Sequence, residues 1–243
     1  MMKLSRFNVV SIILVILVLL VAVGRIFVCP TLSNYSWIAI FPLFVYLYYS
    51  HVKDKNHLFG FFLIAFSIAE FLKIVFDTSN AMAYYFANIL VIIAYIALIV
   101  FFVKDIKLKP LLKEFKIHII VLLVFNAYII YVLNQMIMQD EDISVYSLDF
   151  LIEVTYNVLI LLVLSLSLIH YLYHETKPGL FLFLASVCIV FSEMVQVAYL
   201  FISSQQLLQV IYSSLMAVGF YFLYEYIKIK NNPPLRSPQA LRR

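Results

Sequence analysis

The sequence predicts an all-α fold: a polytopic membrane bundle of about eight transmembrane helices with both termini on one, cytoplasmic side. Three observations predict it. The 243 residues are 65% hydrophobic and 12% charged, about half the charge that covers the surface of a soluble domain. The apolar residues fall in long unbroken runs, not in the short alternating segments of a barrel, and four glycines and seven prolines leave little irregular chain. The basic residues are segregated to alternate breaks between the runs. In hydrocarbon each backbone amide must find its partner within its own segment, so such runs become helices.

The runs lie near residues 7–28, 32–50, 57–76, 81–103, 116–138, 147–173, 178–202 and 206–227. Lys3 and Arg6 precede the first, which is long for a signal-peptide core and is followed by Gly24-Arg25-Ile26 with no small-x-small cleavage site. It is expected to be the first helix and not a cleaved leader. The second run ends at Lys53-Asp54-Lys55-Asn56 and the third at Asp77-Thr78-Ser79-Asn80. The basic stretch from Lys104 to Lys116 closes the fourth, and the acidic Gln139 to Asp142 the fifth. Pro178-Gly179 divides the sixth from the seventh. The weakest break, Ser203-Ser204-Gln205, implies a tight hairpin between the last two helices. Residues 1–230 thus form one membrane domain. The basic tail 231–243, with Pro233, Pro234 and Pro238, is expected to be disordered.

Orientation follows from lysine and arginine. Fifteen of the seventeen fall at the N-terminal end, in the second, fourth and sixth breaks and at the C-terminal end. Only Arg25 and Lys73 remain for the other side, which carries Asp77, Asp140, Glu141, Asp142 and Asp149 instead. The basic side is expected to face the cytoplasm, in a cell (inner) membrane, and to suit anionic lipid headgroups. The net charge of +4 is therefore no nucleic-acid footprint. Tyrosines gather at run ends, as interfacial anchors do (Tyr46, Tyr48, Tyr49; Tyr84, Tyr85; Tyr171, Tyr173). Cys29 and Cys188 are isolated, no Cys/His cluster exists, and the five histidines sit near run ends, so no metal site is expected. There is no P-loop, dinucleotide turn or GxSxG, and no organic cofactor is implied.

An ionisable side chain deep in a spanning helix costs a few kcal/mol and marks a functional hypothesis. Three carboxylates qualify: Glu70 in the third helix, Glu153 in the sixth and Glu193 in the seventh. Counted from the non-cytoplasmic boundary they lie about seven, six and ten residues deep, roughly 9–15 Å at the helical rise. At helical spacing Ser67 and Lys73 flank Glu70, Gln196 follows Glu193, and Tyr156 and Asn157 follow Glu153. Tyr84, Asn88 and Tyr95 form one stripe on the fourth helix, and Gln205, Gln209 and Tyr212 one on the eighth. The plain alternatives are structural. Glu153 reads as a wetted interfacial acid, Lys73 as a snorkelling partner of Asp77, and polar stripes as joints between helices. Glu70 and Glu193 are harder to read that way, because neither can snorkel far, although two buried, protonated acids hydrogen-bonded between helices would look the same in sequence.

The segments around those two glutamates also carry a resemblance. Leu63 to Leu72 (LIAFSIAEFL) resembles the helix of the lysoplasmalogenase-like (YhhN) membrane family that carries a Gly-Asp after a Phe/Leu-Ser run. Ala185 to Leu200 (ASVCIVFSEMVQVAYL) resembles that family's later "GAxxFxxSD" helix, with Ser192-Glu193 at the Ser-Asp position. Pro42 stands where the family often has Lys-Pro, and Tyr95 and Tyr212 match tyrosines of its fourth and last helices. The likeness runs from about the second helix to the eighth. Here both acids are glutamates and Ala69 replaces the glycine. Phe41, Ile92 and Met216 stand where the family has a lysine, a histidine and a polar residue.

What the resemblance implies is hydrolysis of the vinyl-ether bond of a lysoplasmalogen, with membrane lipids as substrate and Glu70 and Glu193 as the catalytic pair. Ser192, Gln196, Tyr95, Tyr212, Lys73 and Asn88 would line the substrate site. The chemistry suits paired acids: one neutral carboxylic acid protonates the vinyl carbon and one carboxylate orients water, an arrangement that apolar surroundings and close acid pairs favour. A second class remains open, a non-catalytic binding or partner module on the same fold. A transporter is the weaker variant of it, since only Pro42 and Gly60 interrupt the runs. The acid-bearing helices lie four helices apart, which is compatible with parallel internal repeats.

Overall fold

The computed structural model describes residues 6–76, 81–104, 115–139 and 143–231. Four expectations fall outside them: the Asp77–Asn80 break with its Lys73–Asp77 pair, the centre of the Lys104–Lys116 loop, the acidic Asp140–Asp142, and the tail beyond Asn231.

Among the described residues the chain folds into eight α-helices, as its apolar runs predict. They are α1 (Arg6–Ile26), α2 (Pro30–His51), α3 (His57–Val75), α4 (Ala81–Val103), α5 (Lys116–Ile137), α6 (Leu148–His174), α7 (Lys177–Phe201) and α8 (Gln206–Asn231). Six of them, α3 to α8, are long and apolar enough to cross a membrane. This is a multi-pass integral membrane protein. Helix α2 is as long as its neighbours but less apolar, because Ser33, Ser36, Trp37 and Tyr48 face inward from it. Local chemistry sets the starts. Asn56 accepts from the amides of Leu58 and Phe59, Ser147 from Phe150, and Thr176 from Gly179, each a side-chain oxygen pairing an amide that the first helical turn leaves free.

Six helices close a ring. Each of α2, α3, α4, α6, α7 and α8 packs on the next, and α8 returns to α2. Helix α1 lies on α2 and α8, and α5 lies on α6 and α7. The order is compatible with a three-plus-three repeat, but α5 departs from it by resting on α7, where an equivalent of α1 would meet α4. Outward faces are apolar: Val121, Val124 and Phe125 of α5 are all more than half exposed, as suits a lipid-facing surface. The tightest pairing is α7 with α8. A Cβ on Gly219 would stand 2.7 Å from Ile189 Cγ1 and 3.2 Å from the carbonyl of Ala185, so only glycine allows this approach.

The ring is filled unequally along its length. In the half holding the end of α2 and the start of α3, aromatic side chains from three neighbouring walls meet inside the ring. Phe220 of α8 lies 4.9 Å from Phe66 of α3, 5.1 Å from Phe41 of α2, and stacked at 5.7 Å on Phe62. Offset and edge-on rings at these separations pack the interior densely. The other half, where α3 ends and α4, α6 and α8 begin, is left hollow and polar.

Candidate functional site

Two adjoining cavities occupy that hollow half. The larger, about 580 Å³, lies between α3, α4, α6 and α7 and is lined by Glu153, Glu193, Asn88, Tyr84 and Tyr156 among others. The smaller, about 200 Å³, lies between α1, α2, α3, α7 and α8 and is lined by Arg25, Trp37, Glu70, Gln209 and Tyr212 among others. Lys73 of α3 and Gln196 and Leu200 of α7 line both, forming the partition. Phe76 and Leu200, 44% and 57% exposed, bring the larger cavity to the end of the bundle. Its volume falls within the range of small-molecule sites, whereas the smaller holds only a small group.

The carboxylates are buried as expected, and each has distinct company. Glu70 Oε2 accepts from the indole Nε1 of Trp37 at 2.8 Å, and Oε1 accepts from Lys73 Nζ at 3.0 Å. The pairing of Glu70 with Lys73 is thus inside the site; with Lys73 at i+3 it is a local helical bridge. Glu193 Oε1 accepts from the Tyr95 hydroxyl at 3.2 Å. Tyr156, whose ring lies edge-on to Tyr95 at 5.6 Å, also faces Glu193. Glu193 Oε2 is buried with no hydrogen bond of ordinary geometry among the described residues. A buried carboxyl oxygen left unbonded beside a cavity is costly unless something else meets it.

Two expectations need correction. Glu70 and Glu193 do not share one cavity; Glu70 faces the smaller and Glu193 the larger. The acid that shares the cavity of Glu193 is Glu153, whose Oε1 accepts from the Tyr84 hydroxyl at 3.4 Å. Glu153 was expected at a wetted interface. It is half-buried in the wall of that cavity, where Lys73 interacts with it as well as with Glu70 and Glu193. Ser192 lines neither cavity. Its hydroxyl donates to the backbone carbonyl of Tyr212 at 2.9 Å, a tie between α7 and α8 of the kind that joins membrane helices.

Of the other named residues, Gln196 and Lys73 line both cavities, Asn88 the larger, and Tyr212 the smaller, 5.5 Å from Trp37, whereas Tyr95 lines neither and lies fully buried behind Glu193. Phe41 and Met216 are fully buried, and Phe41 belongs to the aromatic filling. Arg25 was missed. It comes from α1, where Gly24 permits close approach: a Cβ on Gly24 would stand 2.8 Å from the Ser33 amide of α2. Its guanidinium crosses to α8 and donates to Gln209 Oε1 at 2.5 Å. The signal for it was in the charge pattern, since Arg25 and Lys73 are the two basic residues that the orientation leaves off the cytoplasmic side, and both line the cavities. Among the described residues no three side chains of His, Cys, Asp or Glu converge as a metal site would require. No protein-family model, curated protein or solved structure matches this chain.

Proposed function

We propose that this protein is a membrane-embedded hydrolase of single-chain vinyl-ether lipids, working by carboxylate acid/base chemistry in the larger cavity. The observation that carries the reading is the pair Glu193 and Glu153 facing one cavity of about 580 Å³ between helices, with Glu193 Oε2 buried and unbonded. Glu193 is the proton donor. Its neighbours Tyr95 and Tyr156 are phenols, and the residue lines the cavity. The proton goes to the vinyl carbon distal to the ether oxygen, and the adjacent carbon becomes an oxocarbenium ion. Glu153 takes a proton from water as its oxygen bonds to that carbon. As the hemiacetal's carbon–oxygen bond breaks, Glu153 returns its proton to the departing glycerol oxygen and Glu193 takes the hemiacetal hydroxyl proton, giving a fatty aldehyde and a free hydroxyl with both acids restored and no change in redox state. Glu70 acts through Lys73: it holds the ammonium between the two cavities, where positive charge steadies both carboxylates.

The resemblance to the lysoplasmalogenase-like family supports this chemistry, as does a cavity reached from the end of the bundle. The fifteen-to-two division of basic residues supports a cytoplasmic location for both termini in the cell membrane, which puts the cavities in the non-cytoplasmic half. One observation favours a second reading. Phe41 and Met216, at positions where the family carries polar side chains, are packed into the apolar filling, as a non-catalytic lipid-binding module permits. Purified protein given a lysoplasmalogen in detergent separates the two: release of fatty aldehyde that is lost in Glu193→Gln supports the hydrolase, and a folded protein that releases none rejects it.

A further inference from the structure

The smaller cavity presents a charge that the proposed reaction does not use. Of its three ionisable lining groups with fixed ion-pairing geometry, Lys73 and Glu70 satisfy each other at 3.0 Å. Arg25 is left over. Among the described residues no carboxylate lies within ion-pair distance of it, its hydrogen-bond acceptor is the neutral amide of Gln209, and its Nε is buried without any acceptor. A guanidinium stays charged under all ordinary conditions and carries donors in a planar fork. Held within a membrane bundle, with Glu70 as its electrostatic neighbour but already engaged by Lys73 and Trp37, it is expensive.

The surroundings are those of a receptor for oxygen atoms. Besides Arg25, the walls offer Asn34, Gln196 and Tyr199 as further polar groups, and Trp37 as an aromatic wall. The volume, about 200 Å³, is below that of ordinary ligand pockets and admits a compact group, not a whole lipid. A tetrahedral phosphate ester matches a guanidinium fork with parallel hydrogen bonds and supplies the direct ion pair that Arg25 lacks among the described residues. The shared Lys73 and Gln196 then lead from this group directly into the larger cavity.

We propose that the smaller cavity binds the phosphate ester of its ligand through Arg25, with Lys73 and Gln196 at the junction. This rests on the hydrolase reading only in treating the same molecule as extending into the larger cavity; the phosphate site itself stands without it. Trp37 is the single tryptophan of the chain and lines this cavity, so its fluorescence reports occupancy directly.

The test is titration of the full-length protein in detergent micelles with three probes, read by Trp37 emission. They are an ester-linked lysophosphatidylcholine, a monoacylglycerol of the same chain, and sn-glycerol 3-phosphate. A saturable change with lysophosphatidylcholine, at least about tenfold tighter than with the monoacylglycerol, is expected from charge-assisted hydrogen bonding. Arg25→Gln should abolish that preference and Arg25→Lys should keep part of it. Binding of glycerol 3-phosphate alone supports the site and identifies a soluble ester as its source; its failure beside lysophosphatidylcholine binding identifies the lipid. Equal response to the phosphate-containing and neutral lipids overturns the proposal, and needs no variant to be folded. So does an Arg25→Gln protein of unchanged melting temperature that retains the preference. The ester probes are not vinyl ethers, so their binding survives if hydrolysis fails, and hydrolysis without phosphate preference removes this proposal alone.

Discussion

Trp37 of α2 and Glu70 of α3 are joined by a 2.8 Å hydrogen bond from the indole Nε1 to Oε2, deep in the hollow half of the ring. Both residues are almost wholly buried, at 2% and 4% exposure. The bond engages one carboxylate oxygen of Glu70 while Lys73 engages the other, so each oxygen already accepts a hydrogen bond. Glu70→Gln is therefore expected to shift the emission of Trp37 and to raise KM more than it lowers kcat. A fall in kcat as large as that of Glu193→Gln would return Glu70 to the acid/base pair.

Glu193→Gln preserves shape and the acceptor for Tyr95 but exchanges no proton near neutral pH. It should keep its melting temperature and lose about 10²–10⁴ in the rate of aldehyde release. Glu153→Gln should behave alike. Glu225→Gln is the control, because Glu225 pairs with Lys228 at 2.8 Å at the opposite end of the bundle; unaltered activity is expected there. Full activity in Glu193→Gln would remove the proposed chemistry.

Tyr95→Phe deletes one donor to Glu193 without changing the ring that packs against Phe66 and Tyr156. A stability loss of about 0.5–1.5 kcal/mol follows from one buried hydrogen bond, measurable by thermal denaturation in detergent. A loss several times larger would mean that Tyr95 supports the α4–α6–α7 contact itself.

Gly219→Leu forces a side chain into the 2.7 Å gap to Ile189 and against the carbonyl of Ala185. Overpacking of this kind costs about 1–3 kcal/mol, so the melting temperature should fall while Gly219→Ala falls less. An unchanged melting temperature would contradict the close α7–α8 approach.

Cys29 is exposed in the turn between α1 and α2, at the same end as the cavities. With both termini cytoplasmic, a membrane-impermeant maleimide added outside intact cells should label it. A cysteine placed at Lys55, in a Cys29→Ser background, should label only after permeabilisation. The reverse pattern would invert the orientation.

The eight helices and their limits were legible in the sequence to within a few residues, apart from an extra turn at the end of α8, which continues to Asn231. A spanning helix satisfies its own backbone, so length and apolarity suffice to find it, and Asn56, Ser147 and Thr176 mark starts with their side chains. The burial of Glu70 and Glu193 was legible for the same reason: depth is a property of position along one helix. Which residues meet was not. In lipid the outer face of a helix is as apolar as its inner face, so no periodicity tells α3 that it will face α7 across a ring instead of packing on it. Only the closed order of helices divides Glu70 from Glu193, sets Glu153 in the same cavity as Glu193, and turns Ser192 toward the backbone of α8. The bond from Arg25 to Gln209 spans 184 positions in the chain. It exists because Gly24 lets α1 approach α2 and α1 also rests on α8, a coincidence of three helices that no local pattern encodes.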